Sequence, residues 1–173
     1  MRKIILNLAV SLDGLIEGPN GEYDWCFTDQ DYGFTAFLES IDTIFMGRKS
    51  YEMMAGLEDE NMKFPSKKKY VFTNSLKEVS DGFTILSGDI AKKINTLRSE
   101  EGKDIWLFGG AELTTSMMKM DLVDELSMAI HPILLGQGKP LFQNLEGRRY
   151  WELLDVDQYS SGMVILSYKR SKS

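Results

Sequence analysis

The chain has 173 residues, 43% of them hydrophobic and 27% charged, a balance that fits an ordinary globular domain and excludes a disordered or fibrous chain. Twenty basic against twenty-six acidic side chains leave a net charge of −6, which argues against a sequence-independent grip on nucleic acid phosphates. One cysteine, Cys26, and one histidine, His131, rule out an intrachain disulfide and a structural zinc site of four such ligands, and they fit a reducing cytoplasm.

The length fits one domain over residues 1–173. Met1-Arg2-Lys3 and the apolar run Ile4 to Val10 are too short for a secretory signal or a membrane span, and they predict a first strand broken only by Asn7. Ser11-Leu12-Asp13-Gly14 ends that strand, and Gly18-Pro19-Asn20-Gly21 marks a turn. Tyr23-Asp24-Trp25-Cys26-Phe27 then places aromatic bulk in a loop, either to wall a pocket or to pack. Between Thr28 and Ser40, the residues Tyr32, Phe34, Phe37 and Leu38 share one helical face, with Thr28 or Asp29 placed to cap it. Asp31 falls in its first turn, as a carboxylate favoured by the helix dipole or as an acid at the mouth of a pocket.

Asp42 to Met46 predicts a second strand, broken by Gly47-Arg48-Lys49-Ser50, where a helix begins. A helix start leaves its first N–H groups unpaired, and here a guanidinium, an ammonium and a hydroxyl stand beside them, a donor set suited to a phosphate. Lys67-Lys68-Lys69 reads as a solvated strand entrance, and the third strand, Lys69 to Phe72, ends at Thr73-Asn74-Ser75. Those three are either a hydroxylic turn or part of a ligand edge, because open α/β sheets bind ligands at the carboxyl ends of their strands. Phe83 to Leu86 predicts a fourth strand, and Ile90, Ile94 and Leu97 mark a helix ended by Gly102.

Ile105-Trp106-Leu107-Phe108 is an uninterrupted apolar run of the kind buried on both faces, and it turns over Gly109-Gly110 directly into a helix with Leu113, Met117 and Met120 at helical spacing. This second strand-glycine-helix junction is either an ordinary tight turn or a pyrophosphate site. Two anion-ready helix starts in one small α/β domain favour a dinucleotide over a mononucleotide. Leu122 to Ile133 predicts a strand, in which His131, held extended by Pro132, reads as a structural rather than a catalytic histidine. A glycine-rich loop follows, and Tyr150 to Tyr159 with Met163 to Lys169 predict a closing antiparallel hairpin around Ser160-Ser161-Gly162. Strands alternating with helices before a final hairpin indicate an α/β domain with a mainly parallel sheet.

Taken in this order, Ser11 to Gly14, Met46 to Ser50, Phe108 to Ala111, Leu122 to Leu126 and Pro132 to Phe142 carry a resemblance over nearly the whole chain. It resembles the dihydrofolate reductase-like superfamily, in particular the C-terminal reductase domain of the bifunctional riboflavin-biosynthesis deaminase-reductase and its stand-alone relatives. The resemblance implies a three-layer α/β domain, its mainly parallel mixed sheet flanked by helices and closed by an antiparallel hairpin. It also implies NADPH as cofactor and hydride transfer to a small heterocyclic or imine-like carbon, of the 5-amino-6-(5-phosphoribosylamino)uracil reductase type. The alternatives are a dihydrofolate or other pterin reductase, and an NADP(H)-binding module without catalysis.

By the same resemblance Phe108, Gly109, Gly110, Ala111 and Glu112 adjoin the pyrophosphate and nicotinamide, with a cis peptide at the glycine pair. Gly47, Arg48, Lys49 and Ser50 hold phosphates, Arg48 being the candidate for the 2′-phosphate; Thr73, Asn74 and Ser75 line the adenosine end, and Ala9 and Ile16 face the nicotinamide. Asn7, Trp25 and Asp31 contact substrate, with Asp31 the candidate catalytic acid, a role that needs a raised pKa or a water relay. Two departures stand out: Ala129 occupies the place where folate reductases keep a supporting hydroxyl, and Thr28 to Glu39 offers no Lys or Arg for a ribose phosphate. A small-molecule substrate, no nucleic acid, no membrane and a homodimer complete the expectation.

Overall fold

The structure, a computed structural model, describes residues 1–171. Eight strands form one sheet in the order β5-β4-β3-β6-β1-β7-β10-β9. They are β1 (Ile4–Ser11), β3 (Ile41–Gly47), β4 (Lys68–Phe72), β5 (Phe83–Leu86), β6 (Asp104–Gly109), β7 (Glu125–His131), β9 (Trp151–Gln158) and β10 (Val164–Arg170). The first six in sequence order run parallel, and β10 and β9 close the sheet antiparallel beside β7. Two short strands outside it, β2 (Leu15–Glu17) and β8 (Lys139–Pro140), pair with each other.

Helices lie on both sides, so the expected three layers are present. On one side α3 (Ile90–Ser99) and α4 (Ala111–Lys119) bury Ile94, Met117 and Met118 against Ile4, Leu6, Phe45, Ile105 and Leu107. On the other, α2 (Arg48–Ala55) buries Tyr51 and Met54 against Ile41, Ile44, Met46, Val71 and Trp106. The seven-residue α1 (Phe34–Ser40) packs Phe34 and Phe37 edge-on to the Trp106 ring, at centroid distances of 5.7 and 5.4 Å. Among the described residues no helix is long and apolar enough to cross a membrane, and no group of three or more His, Cys, Asp or Glu side chains is placed to hold a metal ion.

Three expectations need correcting. The helix expected from Thr28 begins only at Phe34, because Tyr32 and Gly33 take left-handed backbone with φ of 51° and 75°. Asp31, not Thr28 or Asp29, accepts from the Thr35 amide at 3.0 Å. On α4 the buried face is Ala111, Thr114, Met117 and Met118, and Met120 lies past the last turn and is exposed. Finally, the strand expected over Leu122 to Ile133 is confined to Glu125–His131, since Asp124 is diverted into a latch.

That latch joins three elements at the amino-terminal edge of the sheet. The Ile4 amide donates to Asp124 Oδ2 at 2.9 Å and the Asp124 amide to the Ile4 carbonyl at 2.9 Å. The Arg98 guanidinium, from the last turn of α3, donates to the same carboxylate at 2.6 Å and to the Arg2 carbonyl at 3.1 Å. Arg98 is only 10% exposed at its side chain, so that partner offsets the cost of burying its charge. Asp124→Ala is therefore expected to cost about 2 to 4 kcal/mol, seen as a lower urea midpoint at unchanged slope. A loss below about 0.5 kcal/mol would show that the latch does not hold these ends together.

Candidate functional site

The site forms at the carboxyl ends of the parallel strands, as open α/β sheets require. Because β3 and β6 are neighbours, Met46 stands opposite Gly109 and Gly47 opposite Phe72 of β4. The two glycine-led helix starts thus open side by side. A Cβ built on Gly47 would lie 3.7 Å from Leu113 Cβ and 3.8 Å from the Gly109 carbonyl oxygen; one on Gly110 would lie 3.6 Å from Ser50 Oγ. The Gly109–Gly110 peptide is cis. Neither α2 nor α4 has a side-chain cap on its first turn, so the N–H groups of both starts stay free for an anion.

Gly47, Ser50, Gly109, Gly110 and Ala111 are brought together in this cradle. Lys49 is exposed on its rim, and Arg48 there holds Glu52 through Nη1 at 2.8 Å. Glu112 sits exposed in the first turn of α4, where the helix dipole favours it. Phe108 packs edge-on to Trp106 at 4.9 Å. Thr73 follows the strand next to Gly47, but its hydroxyl already accepts from the Ser75 and Leu76 amides at 3.1 and 3.2 Å, leaving Asn74 and Ser75 as the outward groups.

Ala9 lies opposite Ala129, and Ile16, on β2, packs against the main core. The β2–β8 pair belongs to a strap across the end of the sheet. Leu12 N–H donates to the Ile133 carbonyl at 2.9 Å, Leu141 N–H to the Gly14 carbonyl at 3.0 Å, and Lys139 Nζ to Glu17 at 2.8 Å. Asp13 fastens it: the Ser11 hydroxyl donates at 2.6 Å and the Gly136 and Leu135 amides at 2.8 and 3.2 Å, which hold its carboxyl below the usual range. Gly138 admits no side chain, since a Cβ there would fall 2.1 Å from the Glu17 carbonyl oxygen.

Two residues differ from their expected surroundings. Asp31 is exposed, and the Thr35 hydroxyl and amide that donate to it lower its pKa, so it is an anion at neutral pH and not the raised-pKa acid its expected role needs. Trp25 packs edge-on to His131 at 5.3 Å, as does Phe27 at 5.0 Å. His131, 3% exposed, accepts from the Phe27 amide at Nε2 (3.1 Å), which leaves the ring proton on Nδ1, donated to the Ala129 carbonyl at 3.0 Å. The structural reading of this histidine is thereby given a partner, the aromatic loop that it ties to β7.

Sequence reasoning missed Ser127, Ser167, Asp157 and Tyr159. Asn7 stands directly opposite Ser127, Ser127 opposite Ser167, and Ser167 opposite Asp155. A usable signal existed for the first of these, since polar or small residues alternate in both Asn7-Ala9-Ser11 and Glu125-Ser127-Ala129-His131.

Six parallel strands with helices on both faces and an antiparallel closing pair define a dihydrofolate reductase-like fold, with a glycine-led cradle at its carboxyl edge. The chain belongs to the RibD C-terminal domain family, whose model matches residues 2–165. It is similar to uncharacterized protein YyaP of Bacillus subtilis (strain 168), 45% identical over 177 residues that cover 96% of this chain and 94% of that protein. Among solved structures, a candidate riboflavin biosynthesis protein from Shewanella sp. PV-4 superposes with TM-score 0.87 at 28% identity, over 99% of this chain and 100% of that one. The Thermotoga maritima diaminohydroxyphosphoribosylaminopyrimidine deaminase/5-amino-6-(5-phosphoribosylamino)uracil reductase gives 0.75 at 13% identity, covering 98% of this chain and 57% of that one. Enterococcus faecalis dihydrofolate reductase, in complex with NADP(H) and RAB-propyl, gives 0.72 at 15% identity, over 98% and 97%.

Burial lowers the His131 pKa from its ordinary 6.5. The stability it contributes is therefore complete above 6.5 and is lost as pH falls through the folded value, at a slope of at most about 1.4 kcal/mol per pH unit. Between pH 7.5 and 5.5 the wild-type chain should lose more unfolding free energy than His131→Gln, and Trp25 should become more accessible to a fluorescence quencher. Parallel losses in the two proteins would show that this ring does not titrate against the loop.

Proposed function

We propose that the chain is an NADPH-dependent reductase that delivers hydride to a small heterocyclic or imine-like carbon. The observation that supports this above others is the side-by-side opening of the Gly47 and Gly110 helix starts, two sets of free N–H groups at one edge of the sheet. The cradle fits the pyrophosphate of a dinucleotide. Space for a Cβ exists at Gly47, with ordinary contact distances and φ of −80°, so the missing side chain is not demanded by the chain's own packing and leaves room for a ligand.

When bound, NADPH supplies the hydride, and the protein supplies orientation and electrostatics. Gly47, Ser50, Gly109 and Gly110 would hold its phosphates, Asn74 and Ser75 would border the adenosine end, and Ala9, opposite Ala129, would leave a flat floor for the ring. Arg48 would take the 2′-phosphate, with its other guanidinium donors or by releasing Glu52. The NADP(H) complex of the similar Enterococcus faecalis fold and the uracil reductase activity for which the Thermotoga maritima protein is named both support this reading. Asp31, being ionised where it stands, would act on substrate as an anion, and a water molecule would deliver the proton.

Two variants test the cradle by calorimetry. Arg48→Ala should weaken NADPH by about tenfold or more and NADH by less than about twofold, the loss of one charge-assisted contact. Equal losses would contradict the 2′-phosphate role. Gly47→Ala should keep the melting temperature within a few degrees while lowering affinity for both coenzymes by at least about tenfold. Undiminished binding in that variant would remove the cradle from the cofactor site.

A further inference from the structure

The two faces of β1, β7, β10 and β9 differ in chemistry. Toward α3 and α4 they present Leu6, Leu8 and Val10, Leu126, Met128 and Ile130, and Leu166 and Tyr168, all but Leu166 in or against the main core. Toward α1 they present Asn7, Ser127, Ser167 and Asp155, four residues directly opposite one another across four strands. The next row toward the carboxyl edge is Ala9, Ala129, Ile165 and Asp157. On this face α1 packs on β3 and leaves the strip open. Asn7, Ser127 and Ser167 are half-buried, and among the described residues their side chains have no hydrogen-bond partner.

The strip has aromatic walls. On one side stand exposed Phe34 and half-buried Phe108, both packed on the ring of buried Trp106, whose indole N–H donates to the Asn7 carbonyl at 2.9 Å. On the other, Tyr159 meets Tyr32 edge-on at 4.8 Å, so that the tip of the β9–β10 hairpin touches the start of α1. That rim is acidic. Asp157 and Asp31 both lie close enough to Tyr159 to act, with its burial, to push the phenol up. The cations that reach this face, Lys169 in the row toward the amino-terminal edge and Lys3 beside it, are held by Glu152 at 2.9 Å and Glu125 at 2.8 Å. Arg48 is taken up by Glu52 in the cradle, and Lys139 by Glu17 in the strap.

From this geometry we infer that the substrate is a flat heterocycle without a phosphate, neutral or cationic, whose donor and acceptor edge is read by Asn7, Ser127 and Ser167 while its ring lies between Phe34 and Phe108 on one side and Tyr159 on the other. The inference rests on the reductase reading and narrows it. Short neutral groups in a half-buried row suit an amide-like edge, since an amide side chain and hydroxyls both donate and accept. A phosphate placed against Asp157, Asp155 and Asp31 would meet their repulsion with no unpaired cation on the strip among the described residues to offset it. On this reading the substrate differs from the phosphoribosyl compound that the name of the Thermotoga maritima protein specifies.

The test measures kcat and KM with NADPH for 5-amino-6-(5-phosphoribosylamino)uracil, for the same compound without its phosphate, and for 7,8-dihydropterin, with NADPH binding followed separately by calorimetry. At least one phosphate-free ring should be reduced with kcat/KM about tenfold or more above the phosphorylated compound. Ser127→Ala should raise KM for that ring by about three- to tenfold with kcat nearly unchanged, the pattern of a lost positioning contact. Asp157→Lys, an exposed change that leaves the core intact, should move the preference toward the phosphorylated compound by about tenfold. Equal or better use of the phosphorylated compound would overturn the inference and leave the reductase reading standing, and so would binding of NADPH without reduction of either phosphate-free ring. Failure to bind NADPH would strike the reductase reading itself and take the inference with it.

Discussion

The pairing of β3 with β6 is the constraint on which the site depends. Two glycine-led helix starts more than sixty residues apart become one cradle because Met46 is held opposite Gly109 by the parallel ladder. A strand inserted between them would separate the N–H groups by a further interstrand spacing of about 4.8 Å. The flanking ladders place Phe72 of β4 against Gly47, which brings Thr73 to the cradle's side, and β1 against β6, which brings Ala9 to the other. The latch of Ile4, Arg98 and Asp124 secures the far end of that arrangement, so the carboxyl edge inherits a fixed register from the amino-terminal one.

Much of this was legible in the amino acids. Ile105 to Phe108 has no polar interruption and forms a central strand, buried from Ile105 to Leu107 and half-buried at Phe108 beside the cradle. Met46-Gly47 and Phe108-Gly109-Gly110 mark the two strand-to-helix junctions where they occur. The late start of α1 was hidden because Tyr32, Phe34, Phe37 and Leu38 satisfy a helical period whichever residue begins it, whereas the positive φ of Tyr32 is a tertiary outcome stabilised by its contact with Tyr159. β2 and β8 carry almost no pattern of their own and exist through each other, with Gly138 allowing the close approach. The strand order itself is not written locally at all, and without it Ser127 and Ser167 cannot be seen as neighbours.

The strap and the aromatic loop show why the edge can be both ordered and open. Asp13 gathers three donors from two segments more than a hundred residues apart, and His131 gathers the loop through Phe27 while its other nitrogen is spent on its own strand. Each is a polar group that replaces water by fixed partners, so each holds a loop without filling the cleft with apolar bulk. Cys26, beside Phe27, is half-buried, and that burial with the nearby Asp24 carboxylate pushes its thiol up to about 11, which keeps it protonated at neutral pH.

The division of labour between the two faces of the sheet follows from the same economy of burial. Over β1 and β7 the buried apolar layer lies on the α3 and α4 side, where Leu6, Val10, Leu126, Met117 and Met118 exclude water, while the layer under α2 is confined to β3, β4 and β6. With that face complete, the α1 side of β1, β7 and β10 is free to carry Asn7, Ala9, Ser127, Ala129 and Ser167, residues too small or too polar to hold a helix in place. A second apolar layer there would have recruited α1 across the strip and closed it. The short helix instead stays over Trp106, and the hairpin reaches it only at the Tyr32–Tyr159 contact, leaving between them a polar floor with aromatic walls. Period-two alternation in β1 and β7 is thus the feature through which the sequence gives one face of these strands to the core and leaves the other small and polar.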